Sequence, residues 1–574
     1  MQALMNIKQT LENLVSRELA ELSGESDCMA MVNHSKAPQF GDYQVNGVMA
    51  LAKRLGRNPR DLAQNVIDKL DINEFAEKVE IAGPGFINIF IAPDFLSREL
   101  NALDKTRLVA RSAHPQTVVI DYSSPNLAKE MHVGHLRGTI IGDAIARTFE
   151  WMGHKLIRQN HFGDWGTQFG MLITHMMELT NPETELSNLE IFDKAAKTRF
   201  DADPEFAAKA RENVVKLQSG DKQCLALWNN FIAVSIQHCQ ELYSRLNITL
   251  TEQDIVPESF YNDKLPGIIN SLDEQGLLVE SEGARCVFLD EFKNKEGKPL
   301  PTIIQKSDGA YLYATTDLAG IQHRCQTLHA KRVLYVVDVR QGLHFQQVLA
   351  IAKLAGFASA DCSLEHLSYG TMMGKDGKPF KTRSGDTVKL IDLIDEGIER
   401  AQSLVDTKNP ELSETEKRQI AQTVGVAAIK YADLSKNRNS DYIFDWDNML
   451  SFEGNTAPYL LYAYARIQSL FRREEININN EFRIFITLPE EKELALRLLQ
   501  FTEVVEALLA DCYPNQLCQY LYELAGNFMS FYESCPILKS EGALKESRLG
   551  LCQLTASTLQ QGLTLLGIET LEQM

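Results

Sequence analysis

The 574-residue sequence has no apolar run long enough to cross a membrane and no pair of cysteines at metal-ligand spacing. A spanning helix needs about 18 uninterrupted apolar residues. The ten cysteines are scattered without a CxxC pair, which argues against a zinc ribbon. This usage is typical of reduced, mostly structural thiols in a cytoplasm. We therefore expect a cytoplasmic protein without a tightly bound metal.

Positive charge is also scarce. The chain has 58 lysines and arginines against 77 aspartates and glutamates, a formal net charge of −19. This balance excludes a uniform basic coat for nucleic acid, but it leaves room for a local basic or aromatic site. Apolar residues make up 44% and charged residues 24%, which excludes a disordered or collagen-like chain. The length then predicts two to four domains with a large buried core.

The N-terminal segment MQALMNIKQTLENLVSRELAEL lacks the basic head, apolar block and small-residue cleavage site of a secretory signal. Its period predicts an amphipathic helix at the start of a module that we expect to span residues 1–112. Asn58 before Pro59 predicts a further helix start, because asparagine caps a helix and proline fits its first position. VEIAGPGFINIFI predicts two strands around a Pro–Gly turn, so the module is α+β.

Two strand–helix–strand blocks follow this module. TVVIDY at 117–122 is apolar and β-branched, about Val133–Met152 has helical period, and KLIRQN forms a second strand. The same order recurs in RVLYVVDV, GLHFQQVLAIAKLAG and LEHLSYG. Strands that alternate with helices at this spacing form a parallel sheet, so residues 113–400 are predicted to be one α/β domain. The polar stretch at about 186–300 is predicted to be a helical, loop-rich insertion.

The C-terminal third has helical period almost throughout. From about Leu390 onward, apolar residues recur at i, i+3 and i+4 with few strand signals, which predicts an α-helical bundle at 401–574. The predicted fold class is therefore α/β. A parallel sheet with an insertion lies between an N-terminal α+β module and a C-terminal α-helical bundle.

The tetrapeptide His132-Val133-Gly134-His135 lies between the first predicted strand and helix of the α/β domain. Ligands bind such sheets at the carboxyl ends of strands, near helix N-termini. The two histidines are three residues apart and can face the same way, while Gly134 has no Cβ to obstruct a flat purine. Two imidazoles and a helix dipole suit a polyphosphate whose charge grows during reaction at phosphorus. Composition gives about 0.015 chance occurrences of HxGH, so two exposed cap histidines are the weaker interpretation.

The HVGH tetrapeptide resembles the signature of class I aminoacyl-tRNA synthetases. The run DYSSPNLAKEMHVGHLRGTIIGDAIAR, followed by NHFGDWGTQFG, closely resembles arginyl-tRNA synthetases. The likeness extends through FGDYQVNG, IAGPGFINI, YLYATTDLAG, GKDGKPFKTRSGDTVKL, KYADLSKNR, DYIFDWDNMLSFEGNTAPYLLYAYAR, SFYESCPIL and LGIETLEQM. The resemblance implies a Rossmann-type catalytic domain at 113–400, a tRNA-contacting module at 1–112 and an anticodon-binding domain at 401–574.

The reaction that the resemblance implies has two steps. Arginine and ATP, the latter as its Mg²⁺ complex, form arginyl-adenylate and pyrophosphate. Arginine is then transferred to the 3′ adenosine of tRNA(Arg). We expect no tightly bound metal or organic cofactor, no membrane partner, and a monomer in the cytoplasm.

Arginine recognition needs anionic or polar acceptors for a planar guanidinium with five donors. Tyr313 and Asp317 are four residues apart, so one helical turn would place them on one face. Asp121 ends the first predicted strand and would point toward the same crevice. By resemblance these three residues take the guanidinium, although a lone aspartate is more often a solvated charge and Tyr313 could equally be a core aromatic. The residues implied for the α-amino and carboxylate end are Asn126, His132 and Gln341.

The implied ATP site combines the signature with two loops. HFGDWG would form a wall of the pocket with Gly163 and Asp164, next to His132, Gly134 and His135. The lysine loop departs from the family pattern: it has Lys378, Lys381 and Arg383, and either Lys381 or Ser384 occupies the place of the lysine that steadies pyrophosphate. In many relatives a lysine just before HxGH substitutes for it, and here that residue is Lys129. The residues implied for catalysis are His132, His135, Lys129 and Lys381.

A second departure from the family pattern is Gly138, where relatives often have serine. Glycine inside a helix costs about 1 kcal/mol relative to alanine. The sequence gives no functional reason for this glycine.

The candidate RNA-binding residues are aromatic, polar and basic. Tyr459, Tyr462 and Arg466 recur at three and four residues and would form one helix stripe on which splayed anticodon bases stack. Plain bundle packing is the alternative interpretation. Phe86 and Asn88 project to one side of a predicted strand and are candidates for reading a base of the D-loop.

Two other classes of protein could share some of these motifs. Another HxGH enzyme, such as a different class I synthetase or a small adenylyltransferase, would share the signature but not the acidic pair Asp121 and Asp317, and a small adenylyltransferase would not need the large helical domain. A non-catalytic RNA-binding relative would be expected to lose the signature histidines or the lysines, and this chain keeps them.

Overall fold

The computed structural model describes residues 6–127, 130–179, 189–381 and 388–574. Their contacts divide the chain into two compact units. The first comprises the described residues up to Arg111 together with 452–564 and 569–574. The second comprises 112–451 and 565–568. The predicted domain boundaries at 112 and 400 stay a prediction.

An antiparallel sheet with helices forms the N-terminal part of the first unit. Its strands run in the order β1-β2-β4-β3. The elements are α1 (Ile7–Ser23), β1 (Val32–His34), β2 (Tyr43–Val45), α2 (Gly47–Leu55), α3 (Pro59–Lys69), β3 (Ala76–Ala82), β4 (Phe86–Ile91) and α4 (Pro93–Asn101).

The predicted helix cap and the predicted hairpin are both present in this part. The Asn58 side chain caps α3 by accepting a hydrogen bond from the Arg60 N–H at 2.8 Å. The hairpin of β3 and β4 pairs Ala82 with Phe86 across the predicted turn. The strands β1 and β2 were not predicted, because three residues are too few to show an alternating pattern.

The second unit contains the parallel sheet. The strands of this unit, in all its sheets, are β5 (Thr117–Asp121), β6 (Lys155–Gln159), β7 (Val279–Ser281), β8 (Ala284–Lys293), β9 (Pro299–Gln305), β10 (Arg332–Tyr335), β11 (Ser363–His366), β12 (Met372–Met373) and β13 (Tyr442–Ile443). Its helices are α5 (Val133–Trp151), α6 (Thr167–Met177), α7 (Leu189–Ala202), α8 (Pro204–Gln218), α9 (Lys222–Arg245), α10 (Leu265–Glu274), α11 (Tyr313–Gln322), α12 (Gly342–Leu354), α13 (Leu390–Lys408), α14 (Glu414–Leu434) and α15 (Trp446–Met449).

The order of the parallel strands creates a crevice for a ligand. It is β11-β10-β5-β6, so the chain leaves β5 for β6 on one side and later returns to β10 on the other. Asp121 at the end of β5 lies in register with Tyr335 of β10 and Gln159 of β6. A reversal of this kind opens a crevice at the carboxyl ends of the strands. The predicted α/β topology is confirmed.

The core of the second unit lies between the sheet and three helices. Val119 and Val333 of neighbouring strands belong to one buried cluster with Ile268 of α10, Leu318 of α11 and Ile351 of α12. Helix α5, which begins at the HVGH motif, is buried along most of its length. The ends of α5, α11 and α12 that border the crevice are therefore fixed by packed helices.

The insertion holds more β-structure than expected. Helices α7, α8 and α9 agree with the helical pattern, but β7, β8 and β9 form a three-stranded antiparallel sheet that was not predicted. Polar residues on its exposed side hid the alternation, since Glu280, Asp290 and Glu291 are interleaved with the apolar residues.

The C-terminal part is helical, as predicted. Helices α13 and α14 belong to the second unit by their contacts. The remaining helices of the first unit are α16 (Ala457–Arg473), α17 (Pro489–Leu499), α18 (Phe501–Asp511) and α19 (Pro514–Ser534), followed by α20 (Gly542–Leu565), which ends at the next segment of the second unit. Among the helices that are described, none is both long and apolar enough to cross a membrane.

Candidate functional site

The loop after β5 has a strained backbone that many hydrogen bonds hold. Ser123 and Ser124 have φ angles of 70° and 44°, in the left-handed region that costs energy for residues with a side chain. The Ser123 Oγ lies 2.7 Å from the Tyr243 hydroxyl, and the Ser124 N–H donates to Asn160 Oδ1 at 2.9 Å. Strain held in this way is common where a loop shapes a ligand site.

The two signature histidines are brought together at the start of α5. His132 is the N-cap residue, and its Nδ1 accepts from the Gly134 N–H at 3.1 Å. His135 Nδ1 accepts from the His132 N–H at 3.1 Å, and the two rings lie 4.0 Å apart. Because each Nδ1 accepts a backbone hydrogen bond, the proton of each neutral ring is on Nε2. The pair can thus present two N–H donors to one ligand.

His135 stays neutral at physiological pH. Burial is the largest cause that lowers its pKa to about 3. The neighbouring His132 ring also lowers the pKa, and this effect exceeds the opposite effect of the hydrogen bond from the His132 backbone. A neutral Nε2–H donor does not have to lose a proton or a charge when phosphate binds. Its contribution grows with the negative charge that it meets, which is the requirement for stabilising a transition state at phosphorus.

Gly134 is needed for the cap itself. A Cβ at this position would lie 2.8 Å from His132 Cε1 and 2.9 Å from Nδ1. Such contacts are far below van der Waals distance, so any side chain would push the His132 ring out of its capping position. The backbone at Gly134 is exposed, which agrees with the prediction of room for a flat base beside it.

The HFGDWG loop packs closely on the loop that precedes HVGH. A Cβ at Gly163 would lie 2.2 Å from Asn126 Oδ1, and the Leu127 N–H donates to the Gly163 carbonyl at 3.0 Å. Asp164 is buried, and its carboxylate accepts from the N–H and hydroxyl of Ser259 at 3.0 and 2.5 Å. Burial raises the pKa of this carboxyl. Asp164 therefore contacts Ser259 directly, and its predicted role toward ATP stays a prediction.

Asp121 is already paired with an arginine of the chain. The Arg324 Nη2 donates to its Oδ2 at 2.6 Å, and Ser124 Oγ donates to Oδ1 at 2.8 Å. The buried Arg324 also donates through Nε to Gln159 at 2.5 Å and lies over the Tyr335 ring at 4.9 Å. No sequence motif indicates this arginine. It follows the buried Ile321 by three residues, but an arginine is rarely buried unless it is paired. The ion pair with Arg324 stabilises the loop at the end of β5. The predicted contact of Asp121 with the substrate stays a prediction.

Tyr313 and Asp317 lie on the first turns of α11, as their spacing predicts. Tyr313 is 71% exposed, so it is not a core aromatic. Asp317 Oδ2 lies 2.6 Å from His344 Nε2 in the first turn of α12. Gln341 immediately precedes α12 and is exposed. The Asp317–His344 contact brings the first half of α11 close to the start of α12, which Gln341 precedes.

Glu258 is an acidic residue that the sequence analysis missed. Burial raises its pKa to about 7, and the negative charges of Asp164 and Asp317 add to the effect. The same glutamate raises the pKa of Tyr313 after the larger effect of burial. Glu258, Asp317 and Tyr313 therefore interact electrostatically, and a cation bound among them would relieve the repulsion between the two carboxylates. A lone glutamate in ESFYN carries no pattern that would single it out.

Only part of the lysine loop lies within the described residues. Lys378 and Lys381 are both exposed, and the Lys378 N–H donates to Asp376 Oδ1 at 3.1 Å in a turn. Lys129, Arg383 and Ser384 lie outside the described residues. Met131 and His132 contact the segment after this loop through their backbones. The Leu390 N–H donates to the Met131 carbonyl, and His132 forms an antiparallel β-bridge with Lys389.

Gly138 has a packing role that the sequence did not reveal. A Cβ there would lie 2.7 Å from the Tyr369 hydroxyl and 3.1 Å from its ring. One residue earlier, the buried Arg137 pairs with Asp433 of α14 at 3.0 Å and donates to the Ser440 carbonyl at 2.9 Å. The glycine lets Tyr369 approach α5, and the ion pair fixes the same turn, so both hold the helix that begins at HVGH.

The RNA-binding candidates lie in the first unit. Asn88 is buried and its Oδ1 accepts from Gln44 Nε2 at 2.9 Å, whereas Phe86 at the start of β4 is partly exposed. On α16, Tyr462 is 42% exposed and the Arg466 guanidinium lies 4.3 Å from the centre of the Tyr532 ring.

Bundle packing accounts for only part of the stripe on α16. Tyr459 is partly exposed, and its ring is tilted by 60° against that of Tyr522 of α19, with the ring centres 5.6 Å apart. The core-facing side of α16 is formed instead by Leu460, Ala463 and Ile467, which are fully buried. The stripe therefore lies at the surface of the first unit.

Three family models match the chain in sequence order. The first, the arginyl tRNA synthetase N terminal domain, matches residues 9–91. The class I (R) tRNA synthetase catalytic domain matches residues 99–446, more than half of the chain. The DALR anticodon binding domain matches residues 460–574.

Proteins similar to this chain over its full length are named arginine–tRNA ligases. An arginine–tRNA ligase of Marinomonas sp. is 56% identical over 577 aligned residues, which cover 99% of this chain and 100% of that protein. The chain belongs to the arginyl-tRNA synthetase family. A second family member, the arginine–tRNA ligase of Hahella chejuensis, is 55% identical with the same coverage.

Solved structures of the family share the fold. The arginyl-tRNA synthetase of Plasmodium falciparum is 31% identical, with a TM-score of 0.88 over 100% of both chains. That of Thermus thermophilus is 26% identical, with a TM-score of 0.84 over 99% of this chain and 100% of its own. The family fold therefore extends over the N-terminal module, the parallel sheet and the helical C-terminal part.

Proposed function

We propose that the protein is an arginine–tRNA ligase, which activates arginine with ATP and transfers it to the 3′ adenosine of tRNA(Arg). One observation carries the proposal. Over its whole length the chain is more than half identical to arginine–tRNA ligases, and it keeps a paired-histidine donor site at the switch point of its sheet. ATP is used as a substrate, as in class I synthetases generally. Mg²⁺ is proposed to enter with ATP, held by the phosphate oxygens.

Activation joins the arginine carboxylate to the α-phosphorus of ATP, and pyrophosphate leaves. Negative charge grows on the phosphate oxygens along this path. The Nε2–H groups of His132 and His135 would donate to these oxygens, aided by the N-terminal dipole of α5. Gly134, Asn126 and Gly163 would border the purine and ribose. The support for these roles is the 4.0 Å distance between the rings and the tautomer that their backbone contacts impose.

The pyrophosphate is proposed to be steadied by lysines on two segments. Lys378 and Lys381 are exposed cations on the lysine loop, with Arg383 beyond them. Lys129 just before the signature is proposed to take the role of the lysine that the degenerate loop lacks. The His132–Lys389 bridge supports this pairing of segments, because it ties the end of the loop to the signature.

Arginine is proposed to bind with its guanidinium between Asp317 and Glu258, beside the Tyr313 hydroxyl. Two carboxylates that repel one another gain most from a planar cation that pairs with both. The α-amino and carboxylate groups would lie near Asn126, His132 and Gln341. Asp121 is proposed to contribute mainly through Arg324, which holds its charge at the crevice floor.

The tRNA is proposed to contact two surfaces of the first unit. The partly exposed Phe86 of the 1–112 module would meet the D-loop, whereas the buried Asn88 would contact a base only if its hydrogen bond with Gln44 opened. Tyr459, Tyr462 and Arg466 of the 401–574 domain would stack on anticodon bases. The surface position of this stripe supports the second assignment, because the Tyr462 ring is exposed and Tyr459 is partly exposed. The proposal includes a monomeric, cytoplasmic enzyme.

Bound tRNA is proposed to be required for adenylate formation. By induced fit, the tRNA would order the loops around HVGH and the lysine loop before arginine reacts. The test is arginine-dependent pyrophosphate exchange with tRNA-free enzyme. Exchange that is equally fast with and without tRNA would refute this dependence and leave the ligase assignment intact.

The assignment itself is tested by charging. Purified protein, bulk tRNA and ATP are incubated with each of the twenty amino acids, and labelled aminoacyl-tRNA is measured. We expect arginine alone to be attached. Charging with another amino acid and not with arginine would overturn the proposal.

A further inference from the structure

His344 contacts the candidate arginine site and has no role in the proposed reaction. His344 is in the first turn of α12, three residues after Gln341, and its Nε2 lies 2.6 Å from Asp317 Oδ2. The side chains are partly exposed, 31% for His344 and 20% for Asp317. An ionised carboxylate only accepts hydrogen bonds, so the Nε2–H group of His344 is the hydrogen-bond donor.

The contact fixes one oxygen of Asp317 and leaves the other available. Among the described residues, none donates a hydrogen bond to Asp317 Oδ1. A guanidinium presents its N–H groups in one plane and pairs best with a carboxylate whose plane is held. Without His344, rotation about the Asp317 side chain would spread its oxygens over several orientations.

We propose that His344 is a positioning residue for arginine, which acts through Asp317 and sets the plane of its carboxylate for the guanidinium. The inference rests on the proposed function, because it takes the guanidinium as the partner of Asp317. It differs from a role in packing: the ring of His344 meets Phe345 only at an edge, with the ring centres 5.5 Å apart. It also differs from a stand-in role, in which His344 would occupy the place of the substrate and compete with it.

The two roles predict opposite signs. If His344 positions Asp317, its removal raises the KM for arginine. If it competes with the substrate, its removal lowers that KM. The KM for ATP and the kcat at saturating arginine should change little in the first case, because His344 acts only on the group that holds the guanidinium.

The experiment compares four single variants in aminoacylation assays with arginine and ATP varied separately. In His344→Gln, the amide nitrogen reaches the place of Nε2, whereas in His344→Asn it falls short. We expect His344→Asn and His344→Ala to raise the KM for arginine about tenfold, and His344→Gln to stay within about threefold of the parent protein. Leu343→Ala is the matched control, since Leu343 is the 50% exposed neighbour in the same turn.

The action through Asp317 is tested by a double variant. In an Asp317→Ala background, His344→Ala should add nothing further, because the group that it positions is gone. A lowered or unchanged KM for arginine in His344→Ala would overturn the proposal. Equal defects in His344→Gln and His344→Asn, or equal losses toward arginine and ATP, would also overturn it. Failure of the parent protein to charge arginine would instead refute the proposed function.

Discussion

The raised pKa of Glu258 makes a quantitative prediction about pH. Burial and two neighbouring carboxylates raise the pKa of its side chain to about 7. The neutral acid predominates below this pH and the carboxylate above it. A guanidinium binds the carboxylate and not the neutral acid, so the KM for arginine should fall as pH rises through about 7.

The size of the effect follows from the ionised fraction. With a pKa of about 7, this fraction falls from roughly three quarters at pH 7.5 to roughly 3% at pH 5.5, so the apparent affinity should fall about 25-fold. In Glu258→Gln the side chain no longer titrates. Its KM for arginine should be higher than that of the parent protein at pH 7.5, and its pH dependence should be much flatter. Among the described residues, the titratable groups that interact electrostatically with Glu258 include Asp164, Asp317 and Tyr313.

The assay is aminoacylation at saturating ATP and tRNA, with arginine varied at intervals from pH 5.5 to 8. Glu252→Gln is the matched control, because Glu252 is an exposed glutamate six residues earlier. It should reproduce the steep profile of the parent protein. The reasoning is refuted if the parent profile is flat, or if Glu258→Gln keeps the full steepness.

Three further predictions concern the signature histidines, the packing of α5 and the lysines. His135→Ala should lower kcat for adenylate formation about 100-fold, with a much smaller change in the KM for ATP, in single-turnover assays; loss of ATP affinity alone would contradict a transition-state role. Gly138→Ala should lower the melting temperature despite the better helix propensity of alanine, and Tyr369→Phe should recover part of the loss, since a Cβ would lie 2.7 Å from that hydroxyl. Lys129→Ala should impair pyrophosphate exchange at least as much as Lys381→Ala; the reverse order would show that the lysine loop works in the usual class I way.

The sequence predicts the fold where a hydrophobic pattern continues over many residues. The β5 strand and the α5 helix were predicted within one or two residues, because β5 is a short apolar, β-branched run and α5 begins at the HVGH motif with a continuous helical period. The cap of α3 was predicted from Asn58 and Pro59 alone. The three-residue strands β1 and β2 were not, since their pairing depends on partners distant in the chain.

The candidate site was predicted where residues belong to a motif. The HVGH histidines and the Tyr313–Asp317 pair lie within contiguous patterns. Glu258 and His344 do not, and only the fold brings them near Asp317.

Arg324 shows a different limit of sequence reasoning. It follows the buried Gly320 and Ile321 by four and three residues, which is the spacing of the buried face, but an arginine is rarely buried unless it is paired. It lies in the π-helical turn after α11 and pairs with the Asp121 carboxylate. Sequence reasoning therefore assigned Asp121 to the substrate without seeing the arginine that already binds it.

The most direct test of the account is the effect of Asp317→Ala on charging of tRNA with arginine. The central claim is that this crevice recognises arginine through a carboxylate. We expect the KM for arginine to rise by at least tenfold, from the loss of a charge-assisted hydrogen bond of about 1.5–3 kcal/mol, while the KM for ATP stays within about threefold. An unchanged KM for arginine would contradict the account, because it would remove Asp317 from the site.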